Sequence, residues 1–309
     1  MWTYDDSRAA LRDALRLSRA MTYKSAVAGN PLGGGKGVIV LPADTRPLTP
    51  RTRNDLLLDF AETVDALRGR YITAEDVGTS AKDMTVIASA TKHVRGLSRR
   101  RGGSGDPSPY TALGVQAAIA AGCERTFGSA SLRGRTVCIT GLGHVGMRLA
   151  LGLLRAGAKV VAGDIDKGKR AELEAAGGRW IAPGRGLGLA ADVFAPCALG
   201  GILTPESVAE LQAPVVAGAA NNQLADDAVA EDLRRRGVLW APDFVANAGG
   251  IINIAVEFDR GGYDPARARK RVRGIGDTMR EIFDHADAAK ATPLAAAMAL
   301  AQRRLDAAA

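Results

Sequence analysis

Three stretches of this 309-residue chain set chemistry-bearing side chains beside backbone able to approach a ligand closely. The first is MTYKSAVAGNPLGGGK at residues 21–36, where Lys36 follows Gly33, Gly34 and Gly35. A lysine among glycines has no neighbouring side chains to keep it in water. Desolvation or a second cation lowers such an ammonium toward neutrality and makes it a usable base. Lys24 offers that second charge, and equally a fixed partner for a carboxylate. The second stretch is YITAEDVGT at residues 71–79, which carries Asp76 at a strand-to-loop edge suited to a proton shuttle. On spacing alone the solvated surface charge is the better reading of each lysine, and the alternative for Asp76 is a helix or turn cap.

The third stretch is Gly141-Leu142-Gly143-His144-Val145-Gly146, entered from the apolar run at residues 136–140. Gly141 permits a tight turn, Gly143 lets backbone approach a pyrophosphate, and Gly146 allows helix and strand to pack closely. The helix N-terminus that follows receives the phosphate charge. Asp164 ends the next strand at the spacing at which an acidic side chain accepts both ribose hydroxyls and repels a 2′-phosphate, so NAD is expected over NADP. His144 reads as a loop residue near the phosphates without a catalytic part. Cys197 has no His or Asp partner motif and is not expected to be a nucleophile.

These groups need elements to hold them. Helical periodicity is expected at residues 7–21, 55–67, 81–90 and 111–126, with strand-like runs at 37–41 and 71–73. Residues 99–109, rich in Gly, Ser, Pro and Arg, have no periodicity and read as a hinge. Strands at 136–140, 159–164, 193–195, 215–218 and 239–240 alternate with helices at 145–155 and 167–176, the pattern of a parallel sheet covered on both faces. Helices are expected again at 251–258, 265–285 and 293–305. The fold class is therefore α/β. The expected domains are a substrate domain at 1–112, a Rossmann-type doubly wound nucleotide domain at 113–250, and C-terminal helices at 251–309 returning to the cleft and the first domain.

Composition narrows the function classes. Hydrophobic residues make up 47 % and charged residues 24 %, the balance of a globular protein rather than a disordered one. No window approaches the roughly 18 apolar residues of a membrane span, and the opening residues lack the layout of a secretory signal. Three cysteines and three histidines are too scattered for a disulfide framework or a zinc cluster, so no metal is expected and a cytoplasmic location is. The net charge of +8 invites a nucleic-acid reading, but the basic runs lie among acidic residues and aromatics are only 5 %, which leaves little for bases to stack on.

Six segments in order then carry a family resemblance: residues 21–36, 71–79, GSGDPSPYTA at 103–112, APCALG at 195–200, AGAANNQL at 217–224 and APDFVANAGGIIN at 241–253. From residue 1 to about 304 the chain resembles the amino-acid dehydrogenases of the glutamate/leucine/phenylalanine/valine family, most of all the leucine, valine and phenylalanine enzymes. The resemblance implies that Lys36 activates water and Asp76 shuttles protons to and from the substrate nitrogen. It implies that Lys24 pairs with the α-carboxylate and that Asn247 lies near the amino group. Asn221, Asn222, Pro196, Cys197 and Ala198 resemble the residues around the nicotinamide and its ribose. Ala74, Ile251 and Ile254 match pocket-lining positions. All three are small or apolar, which disfavours glutamate and points to apolar L-amino acids, branched chains first. A homo-oligomer is implied as well.

The chain departs from the family where it opens, at Met1-Trp2-Thr3. Family members carry upstream strands and a Gly-Gly turn near the substrate carboxylate, so a truncated or misplaced start is expected. The alternative is a catalytically impaired homologue that acts as an NAD-binding or assembly protein. Asn30-Pro31 and Gly37 are smaller departures that bear on loop geometry.

Overall fold

The computed structural model describes residues 1–41 and 48–308, which fall into two compact units. The first comprises Met1–Ala26, Asn30–Pro107 and Asn253–Pro265; the second comprises Val27–Gly29, Ser108–Ile252 and Ala266–Ala309.

In the first unit a short strand Trp2–Thr3 (β1) precedes the long helix Ser7–Val27 (α1), and Val40–Leu41 (β2) pairs with β1 in parallel. Helix Pro50–Ala66 (α2) starts where the Thr49 hydroxyl accepts the Thr52 amide and Pro50 supplies a preset φ at the first turn. Helix Ala81–Ile87 (α3) opens on a reciprocal capping box between Ser80 and Asp83. Leu57 and Ala61 of α2, Met84 and Ile87 of α3, and Val94 form the unit's buried core. The run at 71–73, expected as a strand, makes only a single parallel bridge, Thr73 to Val94. Of the run at 37–41 only the last two residues pair.

The second unit begins with the helix Ser108–Phe127 (α4) and continues through Thr136–Thr140 (β3), His144–Arg155 (α5), Lys159–Gly163 (β4), Lys169–Ala175 (α6) and Arg179–Trp180 (β5). Val193–Pro196 (β6), Pro205–Glu210 (α7), Val215–Val216 (β7), Val229–Arg235 (α8) and Leu239–Trp240 (β8) complete the sheet. All six strands are parallel in the order β5-β4-β3-β6-β7-β8. The connections reverse direction between β3 and β6, the crevice at which doubly wound sheets bind ligands beyond their carboxyl ends. Val137, Cys138 and Ile139 in β3 and Val193 through Pro196 in β6 are buried without alternation, so helices cover both faces. Each such aliphatic side chain contributes roughly 1.5–3 kcal/mol of burial. The chain belongs to the α/β class, with a Rossmann-type sheet.

Past the short helices Asp243–Ala246 (α9) and Gly249–Ala255 (α10), the stretch at 265–285 is two helices rather than one. Pro265–Arg273 (α11) ends at Gly274, a weak helix former, and Ile275–Ala288 (α12) starts after it. α12 lies along α4, and Pro293–Asp306 (α13) lies along α12. Gly114 makes the α4 approach possible, since a Cβ there would stand 2.6 Å from Ile275 and 3.0 Å from the Ala246 carbonyl. Among the described residues no helix is long and apolar enough to cross a membrane.

Candidate active site

Gly34 and Gly35 before Lys36 are there because neighbours occupy the space a side chain needs, whereas Gly33 faces open space. A Cβ on Gly34 would come within 2.0 Å of the Thr22 amide nitrogen in α1, and one on Gly35 within 2.8 Å of the Tyr71 ring. Gly37 is pressed between Phe60 and Tyr71 in the same way. The Ser25 hydroxyl donates to the Leu32 carbonyl (2.6 Å), and the Asn30 amide donates to the Ser25 carbonyl, which ties the loop back to α1. The loop that carries Lys36 therefore lies on the last turns of α1, where Lys24 sits half-buried.

Lys36 forms an ion pair with Asp76. The lysine side chain is 20 % exposed and the aspartate 50 %, so the cost of desolvation falls on the cation. Burial holds the Lys36 ammonium below the ordinary lysine value of 10.5 although a carboxylate faces it. A desolvated amine beside a wetter carboxylate is an acid–base pair able to pass protons. Ala74, half-buried, lies between the Thr73 bridge and Asp76.

Asp76 is held by its own turn and by a clamp the sequence did not announce. Its amide donates to the Thr79 hydroxyl (3.0 Å), and that hydroxyl donates to the Asp76 carbonyl (2.7 Å). Arg53 of α2 reaches across to donate to both Asp83 oxygens (2.8 Å each) and to the Gly78 carbonyl (2.8 Å). Hydrogen bonds from Arg53, and then from Ser80, hold the Asp83 carboxyl below the usual carboxylate value. A group with a depressed folded-state pKa stabilises above its unfolded value, and that stability is lost as pH falls through the folded value. Arg53→Met is expected to lower the melting temperature at neutral pH by about 2–6 °C, allowing for the partial exposure of Arg53. The gap from the parent closes as pH drops below Asp83's depressed value; thermal melts across pH check this, and a pH-independent gap overturns the assignment.

In the second unit the three glycines of the 141–146 turn meet three different surroundings. Gly141 has φ +97°, and a Cβ there would stand 2.7 Å from Ala198. A Cβ on Gly146 would stand 2.0 Å from the Gly141 carbonyl oxygen. Gly143 is exposed, with nothing within 4 Å of a Cβ position, and it caps α5 without any side-chain bond. The N-cap residue therefore supplies no side-chain acceptor to the first amides of α5, from His144 and Val145 onward, at a positive helix end. Asp164 is half-buried just past β4; it accepts the Leu142 amide (2.5 Å) and the Asp166 amide (2.8 Å), so it also shapes the glycine turn.

Pro196 ends β6, and the Cys197 amide donates to the Thr140 carbonyl (2.8 Å) across the switch point. Burial pushes the Cys197 thiol up to about 12, against the weaker pull of the Ala219 amide, so it stays protonated. Asn221 and Asn222 are exposed at the turn after β7, and Asn222 takes a left-handed φ of +52°. Asn247 is buried and donates to Asn221 Oδ1 (2.7 Å) and to the Ala219 carbonyl (3.1 Å). Ile251 falls with Asn247 in the second unit, Ile254 in the first. Sequence reasoning passed over Gln223, Trp240 and Asp243, whose bonds to one another span the sheet's carboxyl end. The one available signal was a glutamine between two asparagines and an apolar run.

This geometry agrees with comparison to known proteins. Residues 3–93 match the model of the Glu/Leu/Phe/Val dehydrogenase dimerisation domain, and residues 163–309 match that of the glutamate/leucine/phenylalanine/valine dehydrogenases. A leucine dehydrogenase from Thermoactinomyces intermedius is 42 % identical over 309 residues, covering 99 % of this chain and 82 % of its own. The chain belongs to the glutamate/leucine/phenylalanine/valine dehydrogenase family. A valine dehydrogenase from Streptomyces virginiae is 42 % identical over 98 % of this chain and 84 % of its own length. The crystal structure of L-tryptophan dehydrogenase from Nostoc punctiforme superimposes with a TM-score of 0.86 at 39 % identity, over 99 % of this chain and 86 % of that one. The protein is an amino-acid dehydrogenase, of a family dependent on pyridine nucleotides.

Proposed function

We propose that this protein catalyses the NAD-dependent, reversible oxidative deamination of an apolar L-amino acid, branched aliphatic chains first, to the 2-oxo acid and ammonia. The observation that carries this is the desolvated Lys36 paired with Asp76. Lys24 holds the α-carboxylate. What a bound pyridine nucleotide supplies is an acceptor for the α-hydrogen with its electron pair. Neutral Lys36 takes a proton from the water that adds to the α-carbon of the imino acid. Asp76 moves protons to and from the nitrogen until ammonia leaves. Asn247 sits near the amino group.

The residues of the second unit fit the nucleotide: open backbone amides at Gly143 for the pyrophosphate and Asp164 for the ribose hydroxyls, which favours NAD over NADP. Pro196, Cys197, Ala198, Asn221 and Asn222 surround the nicotinamide end. Residues 1–112 serve the substrate and 113–250 the nucleotide. Ala74, Ile251 and Ile254 meet the substrate's side chain, and an unpaired glutamate carboxylate against such apolar residues would be costly. The dimerisation-domain match at residues 3–93 supports a homo-oligomer.

The test is NADH formation by the purified chain with leucine, valine, isoleucine, phenylalanine, tryptophan and glutamate, from neutral to alkaline pH. The neutral amine is the active base, so kcat/KM rises with pH along a limb set below the ordinary lysine value of 10.5. Turnover of the aliphatic substrates, none of glutamate, and a preference for NAD over NADP are expected. NAD binding without turnover of any substrate overturns the reading.

A further inference from the structure

Behind the exposed Asn221–Asn222 turn lies a side chain with no contact to solvent. Gln223 is fully buried, and its polar groups are all spent on the turn and its supports. Its Nε2 donates to the Gly218 carbonyl (3.0 Å) and the Ala220 carbonyl (3.1 Å). Its Oε1 accepts the Trp240 indole N–H (3.0 Å). Its amide donates to Asp243 Oδ2 (2.9 Å), and its carbonyl accepts the Leu203 amide (2.9 Å). Asp243 in turn accepts the Asn247 amide at its own carbonyl (2.9 Å).

One buried carboxamide thus joins the turn after β7 to the last strand of the sheet and, through Asp243, to the helix that presents Asn247. Two further carbonyls of the turn are fixed from other directions, Ala219 by Asn247 and Asn222 by the Gly201 amide (2.7 Å). Asn222 takes a left-handed φ, which asparagine tolerates better than other non-glycine residues, and these bonds hold the turn around it. A glutamate in place of Gln223 would turn a carboxylate toward two carbonyl oxygens, so the site requires both amide hydrogens.

We propose that Gln223 is a positioning residue: it sets the Asn221–Asn222 turn at the carboxyl ends of β6 and β7 in the orientation that the nicotinamide end of the nucleotide requires. This rests on the reading of the second unit as the nucleotide site.

The experiment compares the affinities of NAD and ADP-ribose for the parent, Gln223→Met and Trp240→Phe, with kcat for NADH formation alongside. ADP-ribose lacks the nicotinamide ring, so the ratio of the two affinities isolates what the turn contributes. Gln223→Met is expected to weaken NAD by about 10–100-fold, the scale of one or two lost buried hydrogen bonds, with ADP-ribose within about twofold of the parent. Trp240→Phe removes one donor and keeps the ring, and is expected to move the ratio the same way by a smaller factor. An unchanged ratio in a folded Gln223→Met protein overturns the proposal, as does a parallel loss of both ligands, which is what a purely structural role gives. Where Gln223→Met fails to fold, the Trp240→Phe ratio decides. A parent that binds NAD but turns over no amino acid refutes the proposed reaction and leaves this ratio to be read.

Discussion

Replacing Lys36 with alanine is expected to lower kcat/KM for the favoured amino acid by about 10²–10⁴-fold, the usual contribution of a positioned general base. NAD affinity is expected to hold within about twofold, because the groups assigned to the nucleotide lie in the other unit. Stability gives an independent check. Lys36 is desolvated and its folded-state pKa lies below the unfolded one, so between those two values the unfolded chain binds more protons and stability rises with pH. Below the folded value the buried ammonium costs the native state energy that the half-exposed Asp76 only partly returns. Lys36→Ala is therefore expected to melt no lower than the parent at neutral pH. A side chain whose removal abolishes turnover without loss of stability is kept for its chemistry. Retention of more than about a tenth of parental turnover refutes the assignment of Lys36 as the base. A fall in melting temperature that matches the loss of activity assigns it a structural part instead.

The sequence disclosed those parts of the molecule whose cause is local. The strand at 136–140, the glycine turn and the helix after it were legible because turn geometry and apolar spacing are set within a few residues. Asp164 stands out in the sequence by its distance from that turn, but nothing there shows that it accepts the Leu142 amide. The apolar spacing places the start of α2 at residue 55, whereas the Thr49-Pro50 cap starts it five residues earlier. Thr204-Pro205 starts α7 in the same way. What stayed hidden depends on residues far apart in the chain. β1 and β2 hold two residues each and exist by pairing across α1. Neither Thr22 behind Gly34 nor Tyr71 beside Gly35 is announced by its neighbours. Arg53 and Gln223 look like ordinary polar residues until partners thirty and twenty positions away close their hydrogen bonds. The candidate chemistry was therefore readable as residue types, while the groups that hold it in place were not.

Two glycines of one turn should fail in opposite ways. Gly143→Ala adds a methyl where nothing stands within 4 Å, on a backbone of ordinary negative φ. Its stability cost is the small difference between glycine and alanine at a helix cap, within about 1 kcal/mol. If a pyrophosphate lies against those open amides, however, the methyl takes its place, and NAD affinity is expected to fall by at least about tenfold, or about 1.4 kcal/mol. Gly146→Ala forces a Cβ to within 2.0 Å of the Gly141 carbonyl oxygen, and that oxygen belongs to backbone, which has no flexible end to give way. Overpacking of that kind costs about 1–3 kcal/mol, which in a chain of this size lowers the melting temperature by about 2–4 °C per kcal/mol. Separating α5 from β3 also tilts the amides proposed to receive the phosphate, so affinity is expected to fall together with stability. Calorimetric melts and NAD titration of both variants give two numbers for each. Gly143→Ala lies on the axis of affinity alone and Gly146→Ala on both. A Gly143→Ala protein that binds NAD as tightly as the parent removes the pyrophosphate from this turn, and with it the nucleotide reading of the 141–146 segment.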